Sequence, residues 1–553
     1  MKRELNDISI PGGAAVERTK LFINAEVITV DEKDRIVEAV GVQGNKIIAV
    51  GTNEEILKLK DISSKVIDLK GKTLIPGFID SHLHISIYGS NCISISCKDK
   101  DMKSIQDLLQ AVKNRAIQTP KGQWIRAWGY NEDNFLEKRF PTKEELDHIT
   151  TDHPIMITRT CSHISMVNSL ALEIADIDRS TPDPAGGKIV RTEMGEPSGL
   201  LIENAHMRMF DIAAFSEEEL SQAHEIASRH FAEKGITSIH DATGYGMDNL
   251  RLLQSDSERG IIKQRVYAMV GALNDSRSVV EHMTETGIYS GLGDEKFKIG
   301  PVKLFLDGSS SGPTVWTRAP YSSDPDNYGI HYFSQEEVDR LLIPAHKKGW
   351  QITAHAQGDA AIDMFLNTVE KANRLFPRKD ARHRIEHAGI AAPDLIERMK
   401  ELKVVPVPNP AFLYEYGDGY VQNYGGRASW MYPMGDYQNA GIPAAMASDS
   451  PVTDFNPMRG IHSAMVRKSN SGQVIGERNR VSLLQAIRMY TYNGAYASFE
   501  EDKKGSIEAG KLADLVLLDR SLLRANVEEI PEVKVEWTMI DGEIVFTKSN
   551  GEN

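Results

Sequence analysis

The sequence predicts an α/β protein: a (β/α)8 TIM-like barrel that carries a small β-sandwich domain formed by both chain termini. Three observations lead to this prediction. Strand-like apolar runs broken by turn residues occupy both ends of the 553-residue chain. Helical and strand-like segments alternate between these ends. A long stretch, residues 90–215, separates the first two strand candidates and predicts an insertion after barrel strand 1.

The β-sandwich domain is predicted from residues 19–75 and 505–548, which share one pattern. The first segment contains "LFINAEVITV", "AVGVQGNKIIAVG" and "KVIDLKGKTLIP", in which short apolar runs are separated by Gly-containing turns. The second contains "LADLVLLD" and "VEWTMIDGEIVF", where Asp541 and Gly542 form a hairpin signal. Because strand patterns of the same kind bracket the chain, we expect the two segments to join in one small domain.

The barrel is predicted from residues 76–504. One helix begins with the S-x-x-E capping box of Ser216 and Glu219, ends at Gly235 and is followed by a short buried strand. Helices and strands alternate in this way along the segment, with residues 90–215 as an inserted subdomain. Such alternation is typical of a (β/α)8 barrel. The eight candidate parallel strands are "GFIDSHLHI", "ITSIHDA", "QRVYAMVG", "VKLFLDGS", "WQITAHAQG", "RHRIEHA", "KVVPVPN" and "AAMASDS".

Composition excludes several classes of protein. The net charge of −14 argues against nucleic acid or an anionic membrane as a partner. The three cysteines, Cys92, Cys97 and Cys161, are too few for a disulfide framework and fit a reducing compartment. No apolar run reaches 18 residues. We therefore expect a soluble, cytoplasmic protein that binds a small molecule, with a homodimer as the default assembly.

Polar residues cluster at the carboxyl ends of the predicted barrel strands. His82 and His84 are two residues apart, so on a strand their side chains point to the same face. Active sites of this fold lie at the carboxyl ends of the strands, and neutral imidazole suits zinc, iron and similar ions. Lysine is rarely buried without a reason. The coincidence of His82, His84, Lys303, His355, His387 and Asp449 at strand ends of one barrel is not accidental and indicates a functional site in which the imidazoles could bind a metal ion.

The ordered set of motifs resembles the amidohydrolase superfamily, and within it the YtcJ-like branch (amidohydrolase family 3), which includes N-substituted formamide deformylases. The resemblance covers nearly the whole chain. It rests on "PGFIDSHLH", "RAWGYNEDNF", "PTKEELD", "HPIMITRTCSHISMVNSLAL", "VKLFLDGS", "ITAHAQGDAAID", "HRIEHA", "SDSPV" and "GSIEAGKLADLVLLD".

The resemblance implies a binuclear metal centre. His82 and His84 would hold the more buried ion, and His355 and His387 the second; zinc is the expected metal, with one or two ions per chain. Lys303, as a carbamate derived from CO2, would bridge the two ions. Asp449 would contact the first ion and the attacking water. The loop after Lys303, "DGSSSGPTVWTRAPY", departs from the family text "DGSLGSRTA", so substrate class is not carried over.

The expected chemistry is hydrolysis of a carbon–nitrogen bond in an amide, N-acyl or N-formyl compound. A metal-coordinated water is acidified to a pKa of about 7. Asp449 would accept its proton as general base and deliver it to the leaving nitrogen as general acid. A metal or the catalytic candidate His163 would stabilise the oxyanion. The substrate-binding candidates are Trp128, Tyr130, Asp307 and Arg318.

Other readings remain open from the sequence. The segment "GSSSG", residues 308–312, formally matches the serine-hydrolase pattern G-x-S-x-G with Ser310 as nucleophile, but Pro313 and no helical period follow it. A non-catalytic metal-binding barrel protein is a second alternative, although the full set of ligands with Asp449 argues against it. A third keeps the enzyme but has one metal, or an isomerase or cyclic-amide hydrolase activity.

Overall fold

The computed structural model describes residues 18–98, 100–160, 163–273, 275–310 and 312–548. Cys161 and Ser311, the fourth residue of "GSSSG", lie outside the described residues. The chain divides into two compact units, one made of the residues up to His84 together with those from Arg229 onward, the other of Ile85–Ser228. The predicted insertion falls within the second unit. In the described part of the chain, no helix is long and apolar enough to cross a membrane.

A seven-stranded parallel sheet forms the core of the first unit. Each strand pairs with the next one along the chain. Seven of the eight predicted strands are present, with every residue buried in five of the seven. In chain order they are β1 (Phe78–Leu83), β2 (Ile236–Asp241), β3 (Arg265–Val270), β4 (Phe297–Phe305), β5 (Ile352–Ala356), β6 (Arg384–His387) and β7 (Val405–Val407).

The eighth candidate, residues 444–450, is not a regular strand, but its backbone bonds to both edges of the sheet. On one side, Ala445 N donates to Pro406 O in β7, and Ala447 N donates to Pro408 O just after that strand (both 3.1 Å). Because proline has no N–H, neither residue can return a hydrogen bond, and half of the expected ladder is missing.

On its other side, the same segment bonds to β1. Asp449 N donates to His82 O (2.7 Å), and His84 N donates to Ser450 O (2.8 Å). The seven-stranded parallel barrel is therefore nearly closed, with an irregular segment across the gap. This arrangement places Asp449 beside the carboxyl end of β1.

The chain termini contribute two further sheets to the first unit. Residues of both sheets, among them Phe22, Leu74 and Trp537, share one hydrophobic core. The predicted hairpin at Asp541 and Gly542 is confirmed, since both residues have positive φ and join two antiparallel strands. In spatial order, one sheet contains Lys46–Gly51, Ala39–Gln43, Lys20–Ile23 and Lys65–Asp68, and the other Glu543–Thr547, Val535–Ile540, Leu515–Leu518, Thr73–Pro76, Glu26–Ile28 and Ile36–Val37.

The helices of the first unit begin and end largely as their capping residues predict. The helix Gln335–Lys347 has a capping box from Ser334 to Glu337, and Gly349 after it has a positive φ of 100°. The other helices described from this unit are Asn53–Leu57, Met247–Glu258, Ser276–Glu285, Asp359–Leu375, Pro393–Leu402, Ala411–Tyr424, Met434–Ala440, Pro457–Val466, Leu483–Met489 and Tyr492–Ala497.

The second unit is built on a six-stranded mixed sheet with a hydrophobic cluster on each of two sides. In spatial order its strands are Gly187–Arg191, Pro197–Glu203, Ile164–Val167, Ile155–Arg159, Ile125–Tyr130 and Ile95–Ser96. Its helices are Ile85–Ile93, Ile105–Gln118, Lys143–Ile149, Ser169–Ile174 and Asn204–Ile212, and the helix Glu217–Glu233 runs from this unit into the first.

Candidate active site

A cavity of about 550 Å³ opens at the carboxyl ends of the barrel strands. Strand alternation explains which side chains reach it: on β4, Lys303 and Phe305 line the cavity, while the alternate residues Val302 and Leu304 do not line it and are fully buried. The cavity brings together seven residues singled out from the sequence: His82, His84, Lys303, Asp307, His355, His387 and Asp449.

The four histidines are held in one common orientation, with Nδ1 bonded to the protein. An acceptor at Nδ1 fixes the proton on that nitrogen and leaves the Nε2 lone pair free to bind a metal. The acceptors are Glu386 Oε2 for His82 (2.6 Å), Thr243 O for His84 (2.5 Å), Asp307 Oδ1 for His355 (3.0 Å) and Asn409 Oδ1 for His387 (2.7 Å).

Electron-pair donors converge at the centre of the cavity. The Nε2 atoms of His82 and His84 each lie 3.4 Å from Asp449 Oδ1. One ligand atom each from His82, His387 and Asp449 lies within 4.8 Å of the other two, and the rings of His355 and His387 are 4.6 Å apart. Lone pairs facing lone pairs in a buried site repel unless a cation lies between them. This set of imidazoles and a carboxylate therefore fits a divalent metal ion.

Lys303 lies against this cluster. Its side chain is fully buried, and Nζ is 3.4 Å from His82 Nε2 and donates to Ala242 O (3.1 Å). Burial lowers the pKa of the ammonium group to about 8, because desolvation disfavours the charged form. At pH 7 a group with a pKa of about 8 is deprotonated in about one molecule in ten, so the neutral amine is accessible.

His82 is supported by a buried charge pair on β6. Glu386 accepts its Nδ1–H and also accepts from Arg384 Nε (2.9 Å) and Thr353 Oγ1 (2.6 Å). Burial raises the pKa of Glu386, but the Arg384 guanidinium, the hydrogen bond from His82 and the charge of Lys303 together more than offset this and hold it well below its usual range. An anionic Glu386 polarises the His82 ring and fixes its direction. Neither residue was predicted from the sequence, although "HRIEHA" signals them as charges within a buried strand.

Asp307 orients His355 and anchors the loop that follows β4. Besides the His355 ring, its carboxylate accepts hydrogen bonds from the backbone N–H groups of Gln357 (3.0 Å), Gly358 (2.7 Å) and Trp316 (3.2 Å). These four donors match the lone-pair capacity of a carboxylate. Asp307 was a substrate-binding candidate. In the structure its carboxylate accepts four hydrogen bonds from groups of the protein, and its role toward a substrate stays a prediction.

Arg318 does not line the cavity among the described residues. Its guanidinium pairs with Asp363 (3.0 Å) and Asp394 (2.7 Å). A different arginine, Arg277, does line the cavity, and it contacts Glu337. Nothing in the sequence around Arg277 distinguished it from other surface arginines.

The three remaining candidates lie in the second unit. Tyr130 is fully buried and donates its hydroxyl to Arg139 O (2.5 Å), and Trp128 Nε1 donates to Asn91 O (3.2 Å). His163 has a side chain that is 59% exposed and pairs through Nδ1 with Glu203 (2.9 Å). Their roles toward a substrate stay predictions.

Ser310 lacks the surroundings of a nucleophile. Its buried hydroxyl hydrogen-bonds with the hydroxyls of Tyr420 (3.0 Å) and Tyr432 (3.3 Å). A serine nucleophile needs a general base within hydrogen-bond reach, and within the described residues these two tyrosines are its side-chain partners. The next α-helix begins only at Gln335, whereas a nucleophile elbow turns directly into a helix. The geometry argues against the serine-hydrolase alternative.

Comparisons with known proteins agree with this site. Residues 65–546 match the amidohydrolase family. The chain is 29% identical to an N-substituted formamide deformylase of Arthrobacter pascens over 96% of this chain and 99% of that protein. It is 31% identical to the putative amidohydrolase YtcJ of Bacillus subtilis, covering 94% of this chain and 97% of that one.

Solved structures extend the likeness to the whole fold. An uncharacterized metal-dependent hydrolase of Pyrococcus horikoshii superposes with a TM-score of 0.77 at 27% identity, covering 92% of this chain and 99% of that one. A counterpart from Pyrococcus furiosus gives a TM-score of 0.75 at 26% identity, covering 91% and 99%. The chain belongs to the amidohydrolase family, and it is a metal-dependent hydrolase that acts on carbon–nitrogen bonds other than peptide bonds.

Proposed function

We propose that this protein hydrolyses the C–N bond of a small amide, N-acyl or N-formyl compound, with Asp449 as the general base and acid. The observation that carries the proposal is the convergence of four imidazole Nε2 atoms and one carboxylate on a single buried cavity. The deformylase activity named for the Arthrobacter relative supports the N-formyl class.

The residues divide into ligands for two divalent ions, for which zinc is our first choice. His82, His84 and Asp449 would hold one ion, and His355 and His387 the other. Bound there, the ions would supply an acidified water and polarise the substrate carbonyl. Lys303 would bridge them as a carbamate: its neutral amine forms a C–N bond to CO2 and releases one proton. Its full burial beside His82 supports this role.

We assign the proton transfer to Asp449. Its backbone N–H is bonded to His82 O, which fixes the residue beside the ligand cluster. As the water oxygen bonds to the carbonyl carbon, Asp449 accepts one of its protons. As the C–N bond breaks, Asp449 returns this proton to the leaving nitrogen. Glu386 and Asp307 keep His82 and His355 in place throughout.

We also propose the domain organisation that frames this site. Residues 19–75 and 505–548 form a β-sandwich domain, which the shared core of the two terminal sheets supports. Residues 76–504 form a (β/α)8 barrel whose eighth member is the irregular segment 444–450, supported by its hydrogen bonds to both edges. Residues 90–215 form the inserted subdomain.

The test compares three preparations of the full chain: as purified, stripped with a chelator, and reloaded with zinc. Each is assayed against a panel of N-formyl and N-acyl amides, and metal content is measured by mass spectrometry. We expect hydrolysis to disappear on stripping and to return with zinc. A stripped enzyme as active as the reloaded one would exclude metal dependence, and hydrolysis blocked by a serine-directed sulfonyl fluoride would revive the alternative at Ser310.

A further inference from the structure

We propose that Gln357 is a catalytic residue whose side-chain amide donates a hydrogen bond to the carbonyl oxygen of the substrate as negative charge develops there. This inference rests on the proposed hydrolysis and adds to it a donor from the protein itself. From the sequence alone, the expected stabiliser of the oxyanion was a metal or His163.

Gln357 is fixed on the wall of the cavity. It follows β5, two residues after His355, and only 2% of its surface is exposed. Its backbone N–H donates to Asp307 Oδ1 (3.0 Å), and its carbonyl accepts from Ile390 N (2.7 Å). Its side chain lines the same cavity as His355, His387 and Asp449. A residue pinned on both sides of its backbone presents its side chain in one place.

A chain of hydroxyl groups orients the amide. The hydroxyl of Tyr432 donates to Gln357 Oε1 (2.9 Å). Because each hydroxyl has one proton, Ser310 must then donate to Tyr432 (3.3 Å) and Tyr420 to Ser310 (3.0 Å). All three residues are buried. In this arrangement Ser310 of "GSSSG" has a structural role and does not act as a nucleophile. Its hydroxyl orients the Tyr432 hydroxyl, which in turn orients the Gln357 amide.

The acceptor end of the amide is therefore used, which leaves the donor end, Nε2, for the cavity that Gln357 lines. Within the described part of the chain, Gln357 Nε2 has no protein partner. Its two N–H groups are uncharged donors that need no proton transfer. An amide donor suits a carbonyl oxygen, which gains charge when the water oxygen bonds to the carbonyl carbon and loses it when the C–N bond breaks. The amide itself is unchanged over the cycle.

The decisive variant is Gln357→Met, which keeps the length of the side chain and removes the donor. On an amide that the wild type hydrolyses, we expect kcat and kcat/KM to fall together by about 10²-fold, because the interaction strengthens in the transition state. Binding of acetohydroxamate to the zinc-loaded protein, measured by calorimetry, should weaken about tenfold, the cost of one hydrogen bond to a charged group. Zinc content should be unchanged.

Two further variants separate donation from structure. Tyr432→Phe leaves the amide in place but unoriented, so its effects should be smaller and in the same direction. Gln473→Met replaces an exposed glutamine and should behave as wild type. If Gln357→Met does not fold, Gln357→Leu supplies the same measurement, since it also lacks the N–H donors and carries no charge.

Wild-type acetohydroxamate affinity in Gln357→Met, or a loss of zinc from it, would overturn the proposal. The affinity measurement requires no turnover. A wild-type enzyme that hydrolyses no amide would therefore defeat the proposed function, while the inference about Gln357 would still be decided.

Discussion

Asp449 has a backbone conformation that few residues adopt, with φ of 59°. Aspartate and asparagine tolerate this left-handed region better than other residues with a Cβ, because their short polar side chains can bond locally. The conformation directs the carboxylate toward His82 and His84. Substitution by asparagine therefore tests the chemistry without straining the backbone, which alanine would do.

We expect Asp449→Asn to fold normally and to lower kcat by about 10²–10⁴, the usual contribution of a general acid–base residue. Steady-state kinetics and metal content measured on the same sample check this. Asp61→Asn, an exposed aspartate outside the cavity, is the control. Turnover near the wild-type value in a metal-loaded Asp449→Asn enzyme would remove the residue from proton transfer.

Lys303 provides a second test at the scale of one residue. If its carbamate bridges two ions, Lys303→Ala should lose one of them and most of the activity. Formate or acetate should restore part of both, because a small carboxylate can occupy the bridging position. Metal per chain is the primary measurement, with Lys296→Ala, an exposed lysine, as the control. An unchanged metal content in Lys303→Ala would show that the lysine is not a ligand.

Among the elements, the helix Gln335–Lys347 and the start of β6 meet through two buried histidines. Ile352 N donates to His383 Nδ1 (3.1 Å), His383 Nε2 faces His346 Nδ1 (2.8 Å), and His346 Nε2 faces Phe376 O (2.7 Å). Only neutral rings satisfy this chain, because Phe376 O requires a proton on His346 Nε2 and the Ile352 N–H requires a lone pair on His383. Burial lowers the pKa of both rings, that of His383 far below its usual value.

This pair predicts a loss of stability in acid. The unfolded chain takes up protons below a pH of about 6.5, while the folded pair, with its lowered pKa, does not. The contribution of this pair to the free energy of unfolding is therefore fully present above a pH of about 6.5. It falls as the pH drops below that value, by up to about 1.4 kcal/mol per pH unit for each proton that the unfolded chain binds and the folded chain does not. Arg378, which lies nearby, lowers the pKa further.

Chemical denaturation of the wild type and His383→Gln between pH 5 and 8 measures this effect. Glutamine can accept from Ile352 N and donate to His346 without titrating. The free energy of unfolding of His383→Gln should therefore depend less steeply on pH than that of the wild type, by a slope equivalent to at most one proton. Other buried histidines contribute to both proteins and cancel in the difference. Parallel pH profiles for the two proteins would contradict the assignment.

At the scale of the whole first unit, a buried ion pair joins the barrel to the C-terminal segment, just before the strand Leu515–Leu518. Arg265 at the start of β3 contacts both oxygens of Asp514 (2.7 and 3.0 Å), and both side chains are 4% exposed. Arg265 also contacts Asp541 Oδ1 (3.1 Å), whose side chain is 38% exposed, so removing Asp514 leaves the buried guanidinium with this one partly exposed partner. The terminal sheets and the barrel are therefore expected to unfold together.

We expect Asp514→Asn to lower the free energy of unfolding by about 1–3 kcal/mol, less than the loss of an isolated buried pair, because Asp541 Oδ1 stays 3.1 Å from Arg265 Nη2. The exposed pair of Glu54 and Lys58, with side chains 82% and 68% accessible, is the control: Glu54→Gln should change stability by less than about 0.5 kcal/mol. Urea denaturation followed by circular dichroism measures both. Separate unfolding transitions for sheets and barrel, or a loss in Asp514→Asn no larger than in the control, would contradict this coupling.

The sequence by itself determined the strand periodicity, the helix starts and the identity of the residues in the cavity. His82 and His84, Lys303, His355, His387 and Asp449 could be found because each is a polar residue at the end of a buried apolar run. Local patterns of this kind are visible along the chain, since the period of a strand and the fold's placement of sites are general.

Tertiary structure alone decided what surrounds those residues. Glu386, Asp307 and Asn409 support the histidines through contacts that span tens to hundreds of positions along the chain. The same holds for the irregular eighth segment, whose partners Pro406 and Pro408 lie on another element, and for Gln357, whose amide direction is set by Tyr432. Hydrogen-bond direction depends on which groups meet in space, and no local sequence period records that.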